Sequence, residues 1–190
     1  MTGFRSCAAL AAAAALAGCA WLAPSPPPLP APAFELLGRV AVTFDGRTFS
    51  SGVRWQHAAD RDELWLMTPA GQALAHIVGE ADGATYTGAD RSQYKAADIA
   101  SLIRRALGWE LPVMRLAWWV QGEPAAGVVV QSAERDAQGR PAVLVQDDWR
   151  IVYVYESQDA RAGRLRRLDL ASESCQIRLV IDRWRRAAEP

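Results

Sequence analysis

Histidine occurs twice, cysteine three times and lysine once in the 190 residues, and the charges cancel, 21 Lys and Arg against 21 Asp and Glu. A chain without net charge lacks the broad cationic footprint that grips a phosphate backbone, so no nucleic-acid partner is expected. His57 and His76 fall on different expected strands with no ligand spacing around them, and no metal site is expected. Gly-x-Ser-x-Gly elbows, glycine-rich phosphate loops and Cys-x-x-Cys pairs are missing, so no cofactor and no catalytic residues are assigned. A Ser-His-Asp set assembled from distant positions is recognised by geometry alone and stays open at this stage. Asp147-Asp148 reads as a solvated turn. After the N-terminus no apolar run approaches the roughly 20 residues that a membrane-spanning helix needs. What is present is 51% hydrophobic residues, enough to build one core, and a length below the roughly 250 residues at which chains divide into several.

The N-terminus is the most informative segment. Arg5 precedes a run from Cys7 to Ala17 made only of Ala, Leu and Cys, the arrangement of an export signal. The run ends in Leu16-Ala17-Gly18-Cys19, which resembles a bacterial lipobox, with small residues before a cysteine whose thiol receives a diacylglyceryl group. Residues 1–18 are therefore expected to be a lipoprotein signal peptide and Cys19 the lipid-attachment site. Cys7 then leaves with the signal and Cys175 remains as the free thiol, so no disulfide within the mature chain is expected. Two or more acyl chains anchor a protein firmly, at ~0.8 kcal/mol per buried CH₂. Ala20 after the cysteine, where Asp is absent, implies delivery to the outer membrane. Six of the eleven prolines lie between Pro24 and Pro32, so residues 19–33 are expected to be a tether in extended polyproline form. At ~3.1 Å per residue such a segment reaches roughly 40 Å.

From Phe34 onward short alternating runs are separated by turn signals. Val40, Val42 and Phe44 alternate with polar or small neighbours, and Asp45-Gly46 marks a hairpin to a second strand over Thr48–Gln56. Further strands are expected at Leu64–Met67, Leu74–Val78, Thr85–Thr87, Val128–Val130, Val143–Val145, Ile151–Tyr155, Leu165–Leu170 and Ile177–Ile181. One helix is expected from an Asp98 N-cap to Gly108, with Ile99, Leu102, Ile103, Ala106 and Leu107 on one face. Pro112 opens a second short helix through Leu116, Trp119 and Val120 to Gly122 and Pro124. The resulting fold class is mainly β, a single curved antiparallel sheet forming an incomplete barrel capped by helices, over residues 34–190. Trp149–Tyr155 is apolar on both faces, which fits either a packed core plus a cavity lining or a sheet covered on both sides by ordinary packing.

Arginine clusters at Arg161, Arg164, Arg166 and Arg167, and again at Arg183, Arg185 and Arg186 around Trp184. Such clusters are a solvated face, or a basic patch that meets anionic headgroups or an acidic partner.

Gly38-Arg39-Val40, Thr68-Pro69-Ala70-Gly71, Leu111-Pro112, Trp119, Gly122-Glu123-Pro124, Trp149-Arg150-Ile151-Val152-Tyr153 and Asp182-Arg183-Trp184 follow one another in this order behind a lipobox, and together they resemble the LolB family of outer-membrane lipoproteins. The resemblance implies a half-barrel with an apolar cavity that accepts the acyl chains of cargo lipoproteins from the periplasmic chaperone LolA. It implies further a monomer on the periplasmic face of the outer membrane, in contact with outer-membrane lipid, which changes nothing covalently in its cargo. On this reading Val42, Phe44, Leu64, Leu66 and Ile151 are cavity candidates. Pro69, Ala70 and Gly71 form the membrane-contact loop, and Arg164, Arg166 and Arg167 face the chaperone. Two departures stand out: an exposed Leu of the family's loop is matched here by Ala70, with Met67 nearby to share its task, and the proline-rich segment leaves little room for the helix that often opens the family's fold. The rival readings are a scaffold lipoprotein of an outer-membrane assembly, with a fully packed core, and a tethered hydrolase.

Overall fold

Alternation of apolar and polar side chains, broken by Gly- and Asp-bearing turns, folds the chain into successive hairpins. The computed structural model describes residues 33–108, 111–156 and 163–186. The expected signal peptide, Cys19 and all of the tether except Ala33 lie outside them, as does Arg161. Strands β1 (Phe34–Phe44), β2 (Arg47–His57), β3 (Arg61–Met67), β4 (Ala73–Glu80), β5 (Gly83–Gly88) and β6 (Gln93–Ala96) come first. Helices α1 (Ile99–Leu107) and α2 (Val113–Trp119) follow. The chain then runs through β7 (Val130–Arg135), β8 (Pro141–Gln146), β9 (Trp149–Tyr155), β10 (Leu165–Ala171) and β11 (Cys175–Arg186).

All the strands join one sheet in the order β6-β5-β4-β3-β2-β1-β11-β10-β9-β8-β7. Neighbours are consecutive in sequence except at the centre, where β1 pairs antiparallel with β11 and joins the two halves of the chain. The sheet does not close, and β6 and β7 are its two edges. The fold class is the one expected from the sequence. Asp45-Gly46 makes the expected tight turn, with both residues at positive φ (48° and 70°). Asp147-Asp148 makes a second of the same kind between β8 and β9 (52° and 62°), a backbone hand that suits the twist of a hairpin.

One face of the sheet carries the core. Leu36, Trp55, Leu64, Ile77, Ile151 and Leu168 are all buried there, under apolar side chains of both helices. On β9 only this side is covered: Trp149, Ile151 and Tyr153 are buried, whereas Val152 and Val154 stay half-buried on the outer face. The expected helix is capped as its sequence indicates. Asp98 accepts a hydrogen bond from the Ser101 backbone N–H at 2.6 Å, and Gly108 ends the helix in the left-handed region at φ 80°. Gly79 lets α1 lie close on β4, because a Cβ there would sit 2.4 Å from Ile99 Cδ1. The second helix begins one residue after Pro112 and is capped at Val120.

Two strands differ from expectation. The run Val128–Val130 is not a strand: Val128 and Val129 precede β7, and Val130 is its first residue. The Val128 carbonyl accepts instead from the side-chain amide of Gln146 at 3.0 Å, which holds the segment without a ladder. The strand that forms, β7, is exposed at all six positions, as an edge strand can be. The other edge, β6, is a short polar strand of which the hydrophobic pattern gives no sign.

Candidate functional site

Strands β2 to β5 and helix α1 enclose an apolar pocket of about 130 Å³, open on one side. Its floor is Phe49, Leu66, Ala75, Ile77 and Tyr86 on the inner sheet face, and its roof is Leu102 and Ile103 of α1. Leu74 completes the lining and is 37% exposed at the rim. Leu66 and Leu74 flank the β3–β4 connection, so the loop rises from the edge of the pocket. Pro69, Ala70 and Gly71 are all exposed at its tip. The loop is rigidly built: Thr68 N–H donates to the Gln72 carbonyl and Gly71 N–H to the Thr68 carbonyl, each at 2.9 Å. Gly71 takes φ 80°, the left-handed position that completes this three-residue hairpin connection.

Of the five cavity candidates, Leu66 borders this pocket. Val42, Leu64 and Ile151 are buried in the core, and Phe44 is half-buried against it. Phe44 also borders a separate opening between the β1–β2 and β10–β11 turns. All five lie on the inner face; the position of α1 decides which of them meets the pocket. The residues that sequence reasoning passed over include Phe49 and Tyr86, in register with buried Val42 and Ile77, and Ala75, in register with half-buried Leu66.

Arg164, Arg166 and Arg167 are partly exposed, and each lies beside a carboxylate. Arg164 lies 3.4 Å from Glu156 and Arg167 2.9 Å from Asp169. Arg166 donates to the Ile181 carbonyl at 2.7 Å and lies 3.4 Å from Asp182. Asp182 has no partner in the β1–β11 register, which passes from Arg183 to Ile181, and it also receives Arg39 at 3.1 Å.

Both histidines face carboxylates. His57 Nδ1 is 2.7 Å from Asp62 Oδ1, which also accepts from the Trp55 indole N–H at 2.7 Å. His76 Nε2 is 2.7 Å from Glu63 and its ring stacks on Trp65. Among the described residues no three His, Cys, Asp or Glu side chains gather in a set that would hold a metal ion. Burial pushes the Cys175 thiol up, which keeps it protonated and unreactive. Burial likewise raises Tyr153, whose hydroxyl is buried without a hydrogen-bond partner. No helix among the described residues is long and apolar enough to cross a membrane.

By sequence the chain matches a known family. The sequence pattern described as "Outer membrane lipoprotein LolB" covers residues 32–184. An outer-membrane lipoprotein LolB of Thiobacillus denitrificans is 40% identical over 177 residues, covering 91% of this chain and 93% of its own. That of an Azoarcus species is 38% identical over 153 residues, covering 80% and 77%. Among solved structures, a LolA superfamily protein from Nitrosomonas europaea aligns over 85% of this chain and 89% of its own, with a TM-score of 0.46 and 9% identity. Over most of its length, therefore, the chain belongs to the LolB family, the outer-membrane lipoproteins of lipoprotein localisation.

Proposed function

We propose that the protein, anchored through lipid on Cys19 at the periplasmic face of the outer membrane, accepts lipoproteins from LolA and inserts them into that membrane. Their acyl chains enter between the inner face of β2–β5 and helix α1. The observation that carries this reading is the apolar pocket with α1 as its roof and the Pro69–Gly71 loop at its rim. Acyl chains exposed to water cost ~0.8 kcal/mol per CH₂, so cargo does not cross the periplasm unaccompanied. Each 1.4 kcal/mol of difference in affinity between two apolar sites shifts the partition about tenfold. A chain that prefers this pocket to that of LolA, and the bilayer to both, moves one way without an energy source.

The pocket sets a mechanical requirement. Its volume of about 130 Å³ is near the ~150 Å³ of a cavity that admits one benzene. It receives the end of an acyl chain, and α1 lifts from the sheet for the rest to follow. Val42, Leu64 and Ile151, buried in the closed form, are the next surfaces along the inner face. The loop then leads the chain into the leaflet. Arg164, Arg166 and Arg167 meet an acidic rim on LolA, where their carboxylate partners hold the guanidiniums in fixed directions. The protein works as a monomer and changes no covalent bond.

The test mixes the soluble domain, freed of residues 1–19, with LolA carrying a labelled acylated lipoprotein. Label moving to the domain supports acceptance. Label that stays on a LolA proven competent with another acceptor replaces this reading with that of a scaffold lipoprotein.

A further inference from the structure

Helix α2 buries Val113, Leu116 and Ala117 and turns Met114 and Trp118 outward, 64% and 46% exposed. Four residues apart, the two share one face of the helix. Val129 and Val130, where the chain enters β7, are exposed as well. A single side chain brings these segments together. Gln146 accepts from the Trp119 indole N–H at 2.8 Å and donates to the Val128 carbonyl at 3.0 Å, so Trp118 and Val129 each adjoin a partner of the same buried amide. The patch has little charge around it. From Leu111 to Ala133 the ionisable side chains are Arg115 and Glu123, and Arg115 is paired with Asp147 in the β8–β9 turn.

That turn marks one end of the sheet. Register carries its level across: Gln146 is opposite Trp149, Ala171 opposite Arg150, Gln176 opposite Ala171, Thr43 opposite Gln176 and Thr48 opposite Thr43. Met67 is opposite Gly52, and from there the chain runs on toward the level of Thr48 into the Pro69–Gly71 loop. The patch and the loop therefore stand at the same end, on strands six positions apart in the sheet. Phe34, at the start of β1, is at the other end. Its distance from the anchor permits this placement. The fourteen residues 20–33, at ~3.1 Å each, span roughly 40 Å, and the eleven of β1, at ~3.3 Å each, span roughly 36 Å. A chain held at Cys19 is long enough for the far end of the sheet to reach the same leaflet.

We propose that Met114, Trp118, Val129 and Val130 insert into the headgroup region of the leaflet as a second membrane contact, at the same end of the sheet as the Pro69–Gly71 loop. The proposal rests on the reading that the loop end faces the membrane. The loop tip offers only Pro69, Ala70 and Gly71, whereas a tryptophan and a methionine carry far more apolar surface. A half-exposed indole among aliphatic side chains suits the membrane–water boundary, where its ring meets the acyl chains and its N–H meets water. Exposed Asp45, Asp148 and Glu173 in the turns of this end repel anionic phosphates, so apolar insertion holds the contact and charge does not. One contact leaves a tethered domain free to rock. Two contacts on separate strands fix its tilt and keep the rim of the pocket on the leaflet that receives the cargo.

The experiment uses the full mature chain, lipidated on Cys19, in vesicles of phosphatidylcholine that contain a lipid with a nitroxide headgroup. Cys175 is buried, so a fluorophore can be placed on one introduced thiol at a time. Ala126→Cys reports from beside the patch, Gln72→Cys from the loop and Asp60→Cys from the β2–β3 turn at the opposite end. Quenching is expected to be several-fold stronger at 126 and 72 than at 60, and unchanged at high salt. Met114→Gln/Trp118→Gln is expected to lower quenching at 126 several-fold, and Met114→Leu/Trp118→Phe to keep it. Strong quenching at 72 with none at 126 overturns the proposal and leaves the loop reading standing. Quenching at 60 alone overturns both. Quenching at 126 that persists in the folded glutamine variant, or that salt abolishes, also overturns the proposal. So does a label at 126 that lipid leaves unquenched and added LolA shields, which would assign the patch to the chaperone.

Discussion

The indole N–H of Trp119 donates to Oε1 of Gln146 at 2.8 Å, with both side chains fully buried. The same oxygen accepts from Ala125 N–H at 2.8 Å. Nε2 donates to the carbonyls of Ala125 and Val128, at 2.9 and 3.0 Å. Two acceptor positions and two donor hydrogens exhaust what a carboxamide offers. One side chain on β8 therefore ties the end of α2 and the irregular segment after it to the sheet.

Gln146→Leu leaves three buried polar groups and one half-buried carbonyl without this partner, each buried one costing about 1–3 kcal/mol. A loss of at least ~3 kcal/mol is expected in urea unfolding. Gln146→Glu keeps the acceptors but not the donors and is expected to be destabilised as well. A stability change within 1 kcal/mol for the leucine variant, on the order of a single exposed substitution, would show that water replaces the amide.

Helix α1 as a moving roof is tested by locking it. A Cβ on residue 79 lies 3.9 Å from Ile99 Cβ, inside the roughly 3.5–4.5 Å that a disulfide requires. Gly79→Cys/Ile99→Cys also removes the isoleucine atoms that a side chain at 79 would meet. Oxidised, the variant is expected to lose acceptance of acylated cargo from LolA, and reduced, to regain it. Equal acceptance in both states means that the chains enter without α1 leaving β4.

For the loop, Ala70→Leu is expected to speed delivery of bound lipoprotein into liposomes. It adds three carbons of exposed apolar surface to a tip that is already rigid, at ~0.8 kcal/mol for each methylene that reaches the leaflet. Ala70→Glu is expected to slow delivery while acceptance persists. If the parent and both variants deliver at one rate, the loop has no part in insertion.

The cap of α1 is pH-sensitive in a definite direction. The Ser101 N–H holds the Asp98 carboxyl below its ordinary value. A depressed folded-state value means that the cap contributes fully above the unfolded value, near 3.9, and is lost as pH falls through the folded one. Amide exchange at Leu102 and Ile103 is expected to quicken, relative to the rest of the sheet, below about pH 4. Asp98→Asn is expected to remove that pH dependence, and Asp98→Ala to cost about 1 kcal/mol at any pH above it. An unchanged acid profile in Asp98→Asn would assign the loosening to other carboxylates.

What was legible in the sequence was local. Asp45-Gly46 between alternating runs marks the β1–β2 hairpin, and Asp98 with Gly108 bounds α1 within a residue, because each signal acts on its own backbone. Edge strands were not legible: β6 and β7 bury nothing that would impose alternation, and the valines of 128–130 drew the strand to the wrong end of its segment. Gln146 gave no signal either, since its four partners lie 18 to 27 residues away in the chain. The pocket lining was legible as a face and not as a list, because Leu66 and Phe44 share that face and α1 covers the β2–β5 half of it.

The seam between β1 and β11 joins the first described strand to the last. Loop closure over most of the chain makes it a late event in folding. A polypeptide that emerges N-terminus first into the periplasm has its central strand waiting, one side already paired with β2 and the other bare, until Arg186 has followed. An unpaired strand at the middle of a future sheet is a template for association with other chains. The order of synthesis thus defines an interval of vulnerability that ends only when translocation does, and shortening the chain by even the last strand would make that interval permanent.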